Sequence, residues 1–153
     1  MPHLPVVVHV LGVVLFFGGM IAGWIWMSQI VAAADAKIAA FGLKALRRQN
    51  MWTLHLGSVL VLISGLWMSM AAPVPLRLST NRWLLYSVVL FFVVLAVSMG
   101  MQGPIVKRLL ILAGSNDTDY AVVSRSIAGR LNLLSMFSVL LMLVILTLMV
   151  FKP

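Results

Sequence analysis

The chain has 153 residues, of which 63% are apolar and only 9% are charged, and its mean hydropathy is +1.12. Soluble domains are about 45–50% apolar and 25% charged, so the composition excludes a soluble fold. The net charge of +8 lies in short segments beside long apolar runs. This distribution is typical of membrane proteins, so we expect contact with the lipid bilayer and no nucleic-acid partner. The chain has no cysteine, which excludes disulfides and thiolate metal sites.

The first apolar run, residues 4–27, has no charged residue and is long enough to cross a hydrocarbon core of ~30 Å. One face of this predicted helix is defined by residues at steps of three and four, called here the glycine stripe: His9, Gly12, Phe16, Gly19 and Gly23. Glycines let a neighbouring backbone approach closely, and an imidazole in hydrocarbon needs a partner. We therefore expect the glycine stripe to face protein.

The helix is predicted to continue beyond residue 27 as a short amphipathic arm on the cytoplasmic side. A second span follows at residues 52–72, and proline at positions 73 and 75 is expected to end it. Its small and polar residues share one stripe, which we expect to pack against the glycine stripe: His55, Ser58, Gly65 and Ser69.

The third span is predicted at residues 83–101 and the fourth at residues 131–151. Between them, Gly103-Pro104 predicts a kink, and residues 105–113 have the pattern of a helix lying at the membrane interface. Asp117 is the expected N-cap of a helix that runs unbroken into the fourth span. The predicted fold is all-α, a single domain over residues 1–153, built as a four-helix transmembrane bundle of two antiparallel hairpins.

Basic residues predict the orientation. Eight of them flank the spans on one side: Lys37, Lys44, Arg47, Arg48, Lys107, Arg108, Arg125 and Arg130. The other side has three: Arg77, Arg82 and Lys152. Because basic loops stay in the cytoplasm, we expect both termini outside, in a bacterial-type plasma (inner) membrane.

Four stretches carry a resemblance to known proteins: "HVLGVVLFFGGMIAGWIW" in the first span, "HLGSVLVLISGLWMS" in the second, "GPIVKRLLILA" after the third and "LMVFKP" at the end. Together they resemble a family of predicted four-helix integral membrane proteins of unknown function, related to the copper-resistance D and HemJ-type protoporphyrinogen oxidase membrane domains. The resemblance implies b-type haem bound by the histidine of the first helix, which is His9 here. The lysine that those oxidases carry after a tryptophan in helix 3 is missing, since Trp83 is followed by Leu84.

The candidate ligands follow from this. His9 is the predicted axial ligand of haem b, with Met68 as the second ligand, because a His/Met pair is known haem chemistry. His55 lies near the opposite interface, roughly 20 Å away along the membrane normal, and defines a separate candidate metal site. Copper is an alternative, because imidazole and thioether ligands suit Cu(I); the residues for it are His3, His9, Met68 and Met70.

A non-catalytic role is the remaining alternative, as an accessory subunit packing on a larger membrane complex. The spans hold no carboxylate or lysine for an ion path. No Ser/His/Asp set, HExxH motif or phosphate loop is present, and the residues assign no enzyme activity.

Overall fold

The computed structural model describes residues 3–32, 35–71, 82–114 and 120–151, and almost all of these are helical. The described residues form six α-helices: α1 (Leu4–Ala32), α2 (Ala36–Asn50), α3 (Leu56–Ala71), α4 (Arg82–Leu95), α5 (Gly103–Gly114) and α6 (Tyr120–Phe151). Two π-helical turns, Met51–His55 and Ala96–Gln102, join α2 to α3 and α4 to α5. Four long helices result, each apolar enough to cross a membrane, and no strand occurs in the described ranges. The predicted four-helix transmembrane fold is confirmed.

The first hairpin differs from the prediction at its turn. α1 ends at Ala32, and Asp35 caps the next helix by accepting hydrogen bonds from the backbone N–H groups of Lys37 (2.7 Å) and Ile38 (3.0 Å). The expected continuous arm after residue 27 is therefore wrong. The chain turns back, and α2 packs along the last turns of α1, where Gly42 faces Ile30.

The long helices extend well beyond a bilayer core. The helix over Ala36–Ala71 has 36 residues, about 54 Å at 1.5 Å per residue, against a hydrocarbon thickness of ~30 Å. α2 and α5 are thus direct continuations of the second and third spans, and they pack against each other. The interface helix expected at residues 105–113 is wrong for this reason: the apolar face of α5 is buried in protein, with Leu109 1% exposed.

Two hydrophobic cores lie along the bundle. One joins α1, α2, α5 and α6 and has as its buried members Met27, Ile30, Ala39, Leu43, Leu46, Leu109, Ala113 and Leu131. The other joins α1, α3, α4 and α6 and has as its buried members Phe16, Met20, Leu54, Val61, Phe91, Val94, Met142 and Ile145. In the second core the rings of Phe16 and Phe91 pack at a centroid distance of 5.5 Å. We call the first the basic-end core and the second the Phe16 core.

The eight basic residues counted on one side all belong to the segments around the basic-end core, and all eight are exposed. This end of the bundle, where α1 and α5 end and α2 and α6 begin, is the basic end; the opposite end, where α1 begins and α6 ends, is the terminal end. Arg82 lies at the terminal end, whereas Arg77, Lys152, Pro73, Pro75 and Asp117 lie outside the described residues. The charge asymmetry is thus a property of the folded bundle as well as of the sequence.

Pro104 lies two residues after the end of the second π-helical turn. The chain stays helical from Arg82 to Gly114, and the irregularity lies at Ala96–Gln102, before Gly103. Proline has no N–H to donate to the carbonyl of the preceding turn, so the regular bonding pattern must change there. A π-helical turn is one way in which a helix accommodates such a change.

Candidate functional site

His9 is half-buried on α1, at the terminal end of the contact with α3. Its Nδ1 lies 3.0 Å from the hydroxyl oxygen of Ser64. The Ser64 hydroxyl itself donates to the backbone carbonyl of Leu60, so its oxygen acts as the acceptor toward the ring. This arrangement assigns the tautomer in which Nδ1 carries the proton and Nε2 keeps its lone pair. A histidine held in this tautomer by its other nitrogen has the arrangement found in metal-ligating histidines.

The other residues predicted for the terminal end lie near this level, but the structure does not gather them into a group. Met68 is half-buried and follows Ser64 by four residues, so it lies one turn further along the same face of α3. His3 is exposed, and Met70 is 73% exposed. Among the described residues, no three His, Asp or Glu side chains come together in a group that could hold a metal ion.

The glycine stripe packs against the second long helix, as predicted: its first part meets α3, Gly19 meets Thr53 of the first π-helical turn, and Gly23 meets the end of α2. A Cβ placed on Gly12 would lie 2.9 Å from the backbone nitrogen of Val61, and one on Gly57 would lie 2.7 Å from the backbone nitrogen of Phe16. Gly65 faces the ring of His9, with its ideal Cβ 3.6 Å from Cε1. The two helices thus touch through their backbones, and a porphyrin has no room between them.

The partner face on α3 differs in part from the prediction. Gly65 belongs to it, together with Gly57, Val61 and Ser64. Ser58 is also buried, and its hydroxyl donates to the backbone carbonyl of His55, whereas the hydroxyl of Ser69 donates to the carbonyl of Leu66.

His55 lies apart from His9. It ends the first π-helical turn, its side chain is exposed, and its Nδ1 is 3.3 Å from the backbone carbonyl oxygen of Asn50. His55 precedes Ser64 by nine residues, about 14 Å along the helix axis, so the two histidines are not brought together. The separation is shorter than the 20 Å expected, because His9 pairs with a residue in the middle of α3.

A polar cavity at the junction of the two cores was not predicted. It has a volume of about 40 Å³ and is lined by residues of all four long helices. Its polar lining residues are Trp24, Asn50, Ser98, Gln102, Ser135 and Ser138. The carbonyl oxygen of the Asn50 side chain is buried and has no hydrogen-bond partner in the described part of the chain. We call this space the chamber.

Both π-helical turns border the chamber. Asn50 comes directly before the first turn, and Ser98 and Gln102 belong to the second. π-helical turns inside α-helices are frequent at functional sites. In the sequence each of these polar residues stands in its own segment, and only the spacing of Ser98 and Gln102, four residues apart, hints that they share a face.

A larger cavity of about 310 Å³ adjoins the chamber on the side of α1 and α6. We call it the vestibule; it is lined by Trp24, Met27, Ser28, Ala32, Gly129, Leu131, Asn132 and Ser135. Trp24, Met27, Leu131 and Ser135 line both cavities. The indole N–H of Trp24 donates to the side-chain carbonyl of Asn132, which ties α1 to α6 beside the boundary between the cavities.

The four long apolar helices and their exposed apolar faces define an integral membrane protein of the four-helix type. The chain matches, over residues 4–153, the family described as predicted integral membrane protein (DUF2269), and it belongs to that family. No curated protein and no solved structure matches the chain. The relation to the copper-resistance D and HemJ-type domains stays a prediction.

Proposed function

We propose that the protein is a redox or accessory component of a bacterial-type plasma membrane and that it binds b-type haem through His9. The observation that supports this is the hydrogen bond between His9 Nδ1 and Ser64, which leaves Nε2 as the ligating atom. Ionisable residues inside a membrane span are usually functional, and a second residue that fixes the ring is what an axial histidine needs. Haem, when bound, supplies one-electron chemistry; His9 supplies the axial nitrogen, and Ser64 holds its ring in position.

The packing of α1 limits where the haem lies. Because the second long helix covers the glycine stripe, the haem of this proposal lies against the part of the His9 ring that α3 leaves open, at the terminal end. Met68 is the proposed second ligand. The eight exposed basic residues support an orientation with the basic end in the cytoplasm, so this site faces the outside of the cell.

The test is an absorption spectrum of protein purified in detergent from haem-sufficient cells. We expect a Soret band and a reducible α-band. His9→Ala should abolish both, whereas Ser64→Ala should retain haem with shifted bands because it removes only the partner of Nδ1. His55→Ala is the matched control and should leave the spectrum unchanged. Met68→Leu should convert a six-coordinate spectrum to a five-coordinate one.

Colourless protein with neither iron nor copper by elemental analysis would refute the cofactor proposal. Copper without iron would favour the copper alternative. If both metals are absent, co-purification with a larger membrane complex tests the accessory role.

A further inference from the structure

We propose that the chamber and the vestibule form a binding site for a small uncharged molecule carrying a carboxamide group, entered from the basic end. The site is distinct from His9 and lies at the other end of the α1–α3 contact. The strongest feature of the site is the side-chain carbonyl oxygen of Asn50, a buried acceptor without a partner among the described residues. Buried polar groups in folded proteins almost always have a partner, so this atom calls for a donor within the chamber.

The polarity of the chamber selects the ligand. The side chains of Ser98, Gln102 and Ser135 line it, and none of the three has a hydrogen bond from its side chain to the rest of the described chain. Together with Asn50 they offer both donors and acceptors. A carboxamide likewise presents an N–H donor and a carbonyl acceptor, and it satisfies both kinds of group at once.

The absence of charged side chains among the described lining residues favours an uncharged ligand over an ion. None of the residues lining the chamber or the vestibule is Asp, Glu, Lys, Arg or His. An ion there would lose its hydration without gaining a counter-charge, which is costly at membrane depth. An uncharged molecule has no such penalty.

The size of the two cavities fits a small molecule. A chamber of about 40 Å³ has room for roughly three water molecules, which is also the number of heavy atoms in a carboxamide head group. The vestibule of about 310 Å³ falls within the range of about 300–1,000 Å³ of ligand pockets and accommodates the rest of the ligand. The hydrogen bond between Trp24 and Asn132 lies beside the boundary between the two cavities, so its loss should ease passage from the vestibule to the chamber.

The natural absence of cysteine makes the test direct, because single cysteines can be placed in the full chain without other changes. Ser98→Cys reports on the chamber, Ser28→Cys on the vestibule, and Ser87→Cys is the matched control. Ser87 belongs to the same long helix as Ser98 and is only 1% exposed. It lines neither cavity. The label is the uncharged reagent 2-hydroxyethyl methanethiosulfonate, applied to protein in detergent or nanodiscs.

We expect the labelling rate to fall in the order Ser28→Cys, Ser98→Cys, Ser87→Cys. Acetamide should slow the labelling of Ser98→Cys in a saturable way, whereas acetate, which has the same shape but a negative charge, should not. Adding Asn50→Leu should raise the half-protecting acetamide concentration roughly fivefold, the worth of one net hydrogen bond. Trp24→Phe, which removes the N–H donor, should speed the labelling of Ser98→Cys.

Ser135→Cys provides a second reporter if Ser98→Cys fails to fold, because Ser135 lines both cavities. Labelling of both reporters no faster than Ser87→Cys would overturn the proposal. Equal protection by acetate, or no protection by acetamide, would also overturn it.

Discussion

Gly57→Ala tests the close backbone contact between α1 and α3. A Cβ at this position would lie 2.7 Å from the backbone nitrogen of Phe16, 2.9 Å from its Cβ and 3.0 Å from the carbonyl oxygen of Gly12. Two of these three atoms are backbone, so no side-chain rotation relieves the contact. α1 and α3 have to move apart, and the packing around Phe16, which is fully buried, moves with them.

The magnitude follows from two opposing terms. Overpacking a well-packed contact costs about 1–3 kcal/mol, while replacing glycine by alanine within a helix returns up to about 1 kcal/mol. We expect Gly57→Ala to lower the free energy of unfolding by about 1–2 kcal/mol. Gly18 is the matched control, because a Cβ there meets nothing within 4 Å. Gly18→Ala should be neutral or more stable by up to about 1 kcal/mol.

The assay is reversible unfolding in mixed micelles, followed by circular dichroism as the fraction of denaturing detergent rises. The two variants should differ by about 2 kcal/mol, a factor of roughly 30 in the ratio of folded to unfolded protein. If Gly57→Ala and Gly18→Ala unfold at the same detergent fraction, the backbone contact between α1 and α3 is not present as described.

The remaining predictions concern topology and the basic-end core. A C-terminal alkaline phosphatase fusion should be active and a C-terminal green fluorescent fusion dark, because the basic end is expected in the cytoplasm; the reverse pattern would invert the bundle and place His9 inside. Leu43→Ala should destabilise the protein by about 2–5 kcal/mol, since Leu43 is fully buried between helices. Phe41→Ala, on the same helix but 78% exposed, should cost far less; equal losses in the same unfolding assay would show that α2 is not part of a protein core.

The glycine stripe was predictable because its signal lies within one helix. Residues at steps of three and four share a face, and small residues on that face indicate a neighbouring backbone. The partner face was harder to predict, because periodicity identifies a face but not the register of the helix opposite. Gly57, which meets the backbone of Phe16, lies beside Ser58 in the sequence, and a pattern of polar residues favoured Ser58.

The basic end was misread for a different physical reason. An amphipathic helix with lysine and arginine on one face has two stable environments, a membrane interface and a protein core with a wet outer surface. Its pattern is the same in both. Only the antiparallel pairing of α2 with α5 decides between them, and that pairing depends on contacts between residues more than 50 positions apart.

The chamber exists because of the spacing in the third long helix. Val94, Ser98, Gln102 and Val106 follow one another in steps of four, and in a regular α-helix each such step turns the side chain about 40° further round the axis. Three steps would carry Val106 about 120° away from the inward face. The π-helical turn at Ala96–Gln102 has more residues per turn and absorbs the excess, so Ser98, Gln102 and Val106 all line the chamber.

The same turn separates the two cores, because it places polar side chains where Val94 and Leu109 would otherwise continue one apolar column. The first π-helical turn does the same on the second long helix, with Asn50 between the buried Leu46 and Leu54. Two helices of different sequence thus carry the same irregularity at the same depth, and each directs an amide side chain into one space. A defect confined to one helix would be a local accommodation, as of Pro104. Because a π-helical turn occurs on both sides of the chamber, the cavity is a feature of the fold, and this is the basis for placing a ligand there.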